Sequence, residues 1–206
     1  MVASAVVSAA QGLWRTVTLA ARRALGLPAQ LHTEDRRVLE QVILPDYARR
    51  PDIERVLFVG CAAFTERYGE FFTGREYWTI DPVAARRRYG STRHIVDTLL
   101  RLGSHMAPDC FDLIVCNVVL GWGLNAAADA DAALAACFTH LRAGGELLLG
   151  WNNIAPRNHV LPEHIPALRR FDAAHFGASQ TAHWELPVRN RHVFDFYQKP
   201  LGRTES

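Results

Sequence analysis

Residues 55–81, RVLFVGCAAFTERYGEFFTGREYWTID, read as a strand, a glycine turn, a helix, a second strand and an acid at that strand's end. Arg55–Val59 is a short apolar, β-branched run, followed by Gly60 and the small residues Cys61-Ala62-Ala63. Asp81 stands about 20 residues past Gly60, the spacing at which a carboxylate in an open α/β fold reaches a ribose hydroxyl pair. The segment therefore points to a nucleoside-containing cofactor lying across the carboxyl ends of parallel strands. Gly60 is the only glycine in the turn, where a dinucleotide fingerprint has three, so the rest of the chain must decide the fold.

Outward from this segment, strands and helices alternate. Upstream, a helix is expected from Thr33 to about Leu44, with Thr33 as N-cap and Glu34-Asp35 against the positive end of the dipole. Val38, Leu39, Val42 and Ile43 give it an apolar face, and Pro45 is expected to end it. Downstream, a helix is expected over Thr65–Phe72, broken by Gly74, and strands over Tyr77–Ile80 and His94–Val96, the latter ending at Asp97. Phe111–Cys116 (FDLIVC) is continuously apolar, as in a parallel strand buried on both faces. An Ala-rich helix, Ala126–Leu141, has its stop signal in Ala143-Gly144-Gly145. Glu146–Gly150 is a further buried strand. This order predicts an α/β fold with a doubly wound, mostly parallel sheet covered by helices on both faces.

Composition narrows the function classes. The chain has 206 residues and 49% apolar content, enough for one sizeable core. A net charge of +2, with arginines in scattered pairs such as Arg22-Arg23 and Arg169-Arg170, reads as solvated faces, and no nucleic-acid partner is expected. Cys61, Cys110, Cys116 and Cys137 form no CxxC pair and the histidines no HExxH pattern, so no metal site is expected. Reduced, buried thiols suit a cytoplasmic protein. Met1–Leu27 is read as an amphipathic helix packed on the protein or loosely attached. Membrane-surface contact is a less favoured alternative, and disorder a third. Its longest uncharged run, Met1–Trp14, is too short to span a bilayer. Residues 1–48 are taken as an N-terminal helical extension and 49–206 as the main domain.

The phrases VLFVGC, YWTID, HIVD, FDLIVCN and LRAGGELLLGW, in this order and spacing, resemble the class I S-adenosylmethionine-dependent methyltransferases. The resemblance runs from about Arg50 to the C-terminus, where His192–Tyr197 (HVFDFY) suits that family's final antiparallel strand. Gly121-Trp122-Gly123-Leu124 after the fourth strand resembles a subgroup of compact methyltransferase-like proteins.

The resemblance implies a cofactor, S-adenosyl-L-methionine, and roles for named positions. Gly60, Cys61 and Ala62 would form the turn along its methionine part, and Asp81 would hold the ribose hydroxyls. Asp97 and Thr98 would sit by the adenine amino group. Asn117 would stand where substrate and the cofactor's amino-acid end meet, and Trp122 would pack on the adenine or the sulfonium side. Each has a plainer alternative: Asp97 as a helix N-cap, Asp81 before Pro82 as a turn former, Trp122 as a core residue, Cys61 as a small packing residue, Asn117 as a partner for strand-end backbone. Two departures stand out. Phe58 occupies a position where the family usually has an acid, and the turn lacks its second and third glycines.

The implied chemistry is in-line methyl transfer to an N, O or S atom of a small-molecule acceptor, whose side of the site would be built by Thr33–Leu44 and Trp151–Arg191. The latter carries His159, His164, His175, His183 and Trp184, none singled out as a base. The degraded turn motivates a second hypothesis, a catalytically inactive scaffold or binding partner. A nicotinamide oxidoreductase is disfavoured by the missing glycines.

Overall fold

The structure, a computed structural model, describes residues 31–155 and 158–202. The expected helix over residues 1–27 lies outside them. Among the described residues, eight strands form one mixed sheet: β1 Arg55–Val59, β2 Glu76–Ile80, β3 Arg93–Ile95, β4 Phe111–Asn117, β5 Leu141–Asn152, β6 Asp172–Ala173, β7 His183–Glu185 and β8 His192–Gln198. Their order is β3-β2-β1-β4-β5-β8-β6, with β7 also on the outer side of β8. The first five strands are parallel and β8 is antiparallel to β5. The doubly wound architecture with a final antiparallel strand is therefore present. The order reverses between β1 and β4, the place where open α/β sheets bind ligands at strand carboxyl ends.

The sheet buries both faces because its central strands carry apolar runs, Val56–Val59, Leu113–Cys116 and Leu147–Leu149. Leu57, Ile114, Leu147, Leu149 and Val193 face one layer with Leu134 and Cys137 of helix α2, Ala127–His140. Val56, Phe58, Val115, Leu148, Phe194 and Phe196 face the other. That second layer is closed by α1, a continuous helical run of Glu34–Val38, a π turn Leu39–Ile43, and Leu44–Arg49. Val38, Leu39, Ile43, Leu44 and Tyr47 of this run share the core with β1 and β4.

Three local expectations are corrected. Pro45 does not end α1. A π turn, with Leu44 N bonded to Leu39 O, widens the helix just ahead of it, so a residue without an N–H is taken in without a break. The segment over Thr65–Phe72 is not an α-helix but turns around one 3-10 turn, Tyr68–Glu70. Gly69 lies so close to the Tyr77 ring that a Cβ would come within 3.1 Å of it, so this position has room only for glycine. The Ala143–Gly145 segment does not cap α2, which ends at His140. It forms an irregularity inside β5, with Gly144 at φ +73°, that shifts the register opposite Phe111 and Leu113. Among the described residues, no helix is long and apolar enough to cross a membrane, and no group of three or more His, Cys, Asp or Glu could hold a metal ion.

Candidate functional site

The site begins where β1 ends. Gly60 has φ +86°, a conformation that favours glycine, and its N–H donates to Ile80 O at 2.8 Å. The turn that follows is held from β2 by Asp81, which is 1% exposed. Asp81 Oδ2 accepts from Cys61 N at 2.8 Å and from Arg86 at 3.2 Å, and Oδ1 accepts from Val83 N at 2.8 Å. Three of the roughly four lone-pair positions of a carboxylate are thus filled by the protein itself. Ala62 N donates to Thr65 Oγ1 at 3.0 Å. Cys61 is buried, and burial together with the Asp81 charge pushes its thiol up to about 12, which suits a packing role.

Beside this turn, His94 of β3 places Nδ1 2.8 Å from Thr79 Oγ1 and leaves Nε2 buried with no partner. Burial lowers its pKa. Asp97 follows β3. Its Oδ1 accepts from Thr98 N and its Oδ2 from His105 Nε2, each at 2.8 Å. The His105 bond, ahead of the Thr98 N–H, holds this carboxyl below its usual range. Thr98 is the residue preceding a 3-10 helix, Leu99–Ser104, and makes no side-chain cap bond there.

At the end of β4, Asn117 is buried and its Oδ1 has no partner. Val118 then leaves the sheet at φ +60°, a left-handed conformation costly for a β-branched residue, while its N–H still donates to Gly150 O at 2.7 Å. The following turn is pinned by buried Leu120 and Leu124, which bridge each other, and presents Trp122 at 58% exposure. Trp122 is therefore not a core residue. Phe58 belongs to the α1-side core, edge-on to Tyr68 with ring centroids 5.3 Å apart. Arg36 of α1 bonds the Tyr68 hydroxyl at 3.0 Å.

Sequence reasoning did not single out a second cluster next to Asn117. In the strand register Asn117 pairs with Gly150 and Asn152 with His192. His192 is fully buried. Its Nδ1 lies 2.9 Å from Asn152 Oδ1, which also accepts from Asn190 Nδ2 at 2.9 Å, and its Nε2 has no partner. Burial lowers its pKa to about 4. The available signal was a histidine opening the last strand of an antiparallel pair, hence at the carboxyl edge of β5. On the opposite face, Trp151 Nε1 donates to Asp195 Oδ2 at 2.7 Å and His183 Nδ1 lies 2.6 Å from Asp195 Oδ1. These three line a half-open cavity of about 580 Å³ with Leu161, Leu168 and Tyr197. His159, His164 and His175 are exposed.

The structure thus brings Gly60, Cys61, Ala62 and Asp81 into one turn, with Asn117 across the β1/β4 reversal. Asp97 and Thr98 stand at the end of β3, and Trp122 points outward from its turn.

No protein-family model matches the sequence, and no curated protein does. Among solved structures, the chain is similar to the N-methyltransferase NodS from Bradyrhizobium japonicum WM9, at 17% identity and TM-score 0.59 over 81% of this chain and 96% of that one. NodS has also been solved with S-adenosyl-L-homocysteine. The chain is similar to a TehB-like SAM-dependent methyltransferase from Corynebacterium glutamicum, at 18% identity and TM-score 0.57, over 95% and 99% of the two chains. A SAM-dependent methyltransferase from Methanosarcina mazei matches at 15% identity and TM-score 0.57, over 78% and 98%. At these identities the likeness establishes a Rossmann-like methyltransferase fold.

Proposed function

We propose that this chain is an S-adenosylmethionine-dependent methyltransferase acting on an N, O or S atom of a small-molecule acceptor. The observation that carries the reading is the arrangement at the β1/β4 reversal. There a side-chain-free turn at Gly60, tied down by buried Asp81, faces the strained exit of β4 at Asn117–Val118. The reading is supported by the likeness of the fold to solved methyltransferases, and the buried, unpartnered His94 Nε2 beside the turn suits a ligand rich in hydroxyl and amine groups.

In this reading Gly60, Cys61 and Ala62 line the methionine part of the cofactor, and Asp97 and Thr98 border the adenine. Asn117 and Trp122 close the side toward the acceptor. Asp81 serves the ribose with its remaining lone pair once Arg86, half-exposed, swings aside. Bound S-adenosylmethionine supplies a methyl group already activated on a sulfonium. The chain's own residues need only bind, align the acceptor and exclude water.

A second reading, a catalytically inactive scaffold, is favoured by one observation: the carboxylate expected to face the ribose is 1% exposed and engaged by three protein donors. Calorimetric titration with S-adenosylmethionine and S-adenosylhomocysteine, with NAD as control, decides between them. Micromolar binding of the sulfur nucleosides supports the methyltransferase. No binding up to millimolar concentration by folded protein supports the scaffold.

A further inference from the structure

We propose that Asn117 and His192 together dock a nucleophilic amine, with His192 Nε2 as the base that takes its proton; this deepens the methyl-transfer reading and rests on it. The two residues come from β4 and β8, with β5 between them. What lets them meet is Gly150, the residue of β5 that pairs with both Asn117 and Phe194. A Cβ at Gly150 would overlap Asn117 Oδ1 and lie 3.2 Å from His192 Nε2. Both side-chain atoms therefore lie over the backbone of Gly150, at the carboxyl edge of the sheet and on the α1 face.

Both atoms are buried and neither has a hydrogen-bond partner. An unsatisfied buried polar atom costs on the order of 1–3 kcal/mol, so two at one spot call for a common ligand. Their chemistry specifies it. Asn152 Oδ1 already accepts from Asn190, so the His192 Nδ1–H donates to it and Nε2 carries the lone pair. Asn117 Oδ1 is likewise an acceptor. Two acceptors converging without a donor are satisfied by one atom bearing two hydrogens, as an amine nitrogen does, and they repel a carboxylate or carbonyl.

The base stays neutral in neutral solution. Burial holds the imidazole down, while Asp35 and Arg36, the charged groups of α1 that act on it, pull in opposite directions. The Phe194 ring packs edge-on against it at 4.5 Å. The Asn190–Asn152–His192 chain fixes the tautomer and ring orientation, as a base needs. In the step itself the amine lone pair forms the new C–N bond to the methyl carbon. The methyl–sulfur bond breaks with its electron pair going to sulfur, which becomes a neutral thioether. The nitrogen, now cationic, passes one proton to His192 Nε2, and the imidazolium releases it to water.

The position of the pair separates it from the cofactor turn. Gly60 ends β1, whereas the two acceptors converge over β5, two strands away or roughly 10 Å at ordinary strand spacing. The cofactor and the amine thus load at different places and can be tested apart.

The test uses full-length protein with histidine rings labelled with ¹⁵N, saturated with S-adenosylhomocysteine and titrated with ethylamine, with acetate as control. Ethylamine is expected to shift the His192 ring nitrogens, and acetate to leave them in place. In His192→Gln and Asn117→Leu, ethylamine affinity followed on the remaining resonances should fall at least tenfold, while in His192→Gln S-adenosylhomocysteine affinity stays within twofold. Melting curves confirm that each variant is folded, and Asn117→Ala, which also removes the oxygen, serves where Asn117→Leu does not fold. Protein that binds S-adenosylhomocysteine but shows no ethylamine shift, or variants that bind ethylamine as the parent does, would overturn the proposal and assign the pair to a structural water. Protein that responds to ethylamine yet binds no S-adenosylhomocysteine would overturn the methyl-transfer role and uphold the amine site alone.

Discussion

The Cys61 N–H donates to Asp81 Oδ2 across 2.8 Å, fastening the turn after β1 to the end of β2. With the Val83 N–H on Oδ1, Asp81 is a structural clamp on the very loop proposed to receive the cofactor. Asp81→Ala strands two backbone donors and should cost about 2–4 kcal/mol in urea unfolding. Arg86→Ala removes only the half-exposed partner of the same carboxylate and should cost under about 1 kcal/mol. Near-equal losses in the two variants would show that the backbone donors do not depend on Asp81.

That clamp marks how far the sequence could be read. The apolar runs of β1, β4 and β5 are long, and a strand buried on both faces leaves no other way to bury them, so the mostly parallel sheet was legible. The spacing from Gly60 to Asp81 was legible too, and so was its turn-forming role before Pro82, seen in the bond from Val83 N, but not that Asp81 would also hold Cys61 N, since a bond to backbone 20 residues away leaves no mark in composition. Helix limits were misread where a local signal was overridden. Pro45 was absorbed by a π turn, and over Thr65–Phe72 only a 3-10 turn forms. His192 was hidden because alternation along β8 names the buried residues without saying which neighbours they meet. Only the register of β8 on β5, and the missing side chain at Gly150, bring it to Asn117.

Val118 holds φ +60° directly after β4, between Asn117 and the turn that carries Trp122. A valine there stores on the order of 1–3 kcal/mol of backbone strain. Val118→Gly should recover part of it, raising stability by about 1 kcal/mol once the greater freedom of glycine in the unfolded chain is offset. The same change loosens the exit of β4 and should weaken acceptor binding at Asn117. A Val118→Gly protein that is less stable than its parent would rule out strain at this position.

Gly150 is the converse case, a position where a side chain has no room. Gly150→Ala sets a methyl group onto Asn117 Oδ1, the end of a short side chain fixed on a central strand. The expected cost is about 1–3 kcal/mol, as for other overpacked interiors. Adding Asn117→Ala to the same chain makes room for the methyl and should restore part of the loss. Additive losses in the double variant would place the strain elsewhere.

Protonation of His192 should make the fold acid-sensitive in a defined window. Its pKa is about 4 in the folded protein against about 6.5 in an unfolded chain. The native state therefore binds fewer protons than the unfolded one between those values. The associated stability is fully present above pH 6.5 and is lost as pH falls toward 4. At about 1.4 kcal/mol per pH unit the loss reaches on the order of 3–4 kcal/mol. His94, also lowered by burial, adds a loss of the same sign, and Asp195, raised by burial, works against it. His192→Gln removes only the first contribution, so subtracting its urea-midpoint profile from the parent's isolates it. The difference should grow as pH drops through 6 and 5 and level off near 4, and a flat difference would mean that His192 is not held neutral by the fold.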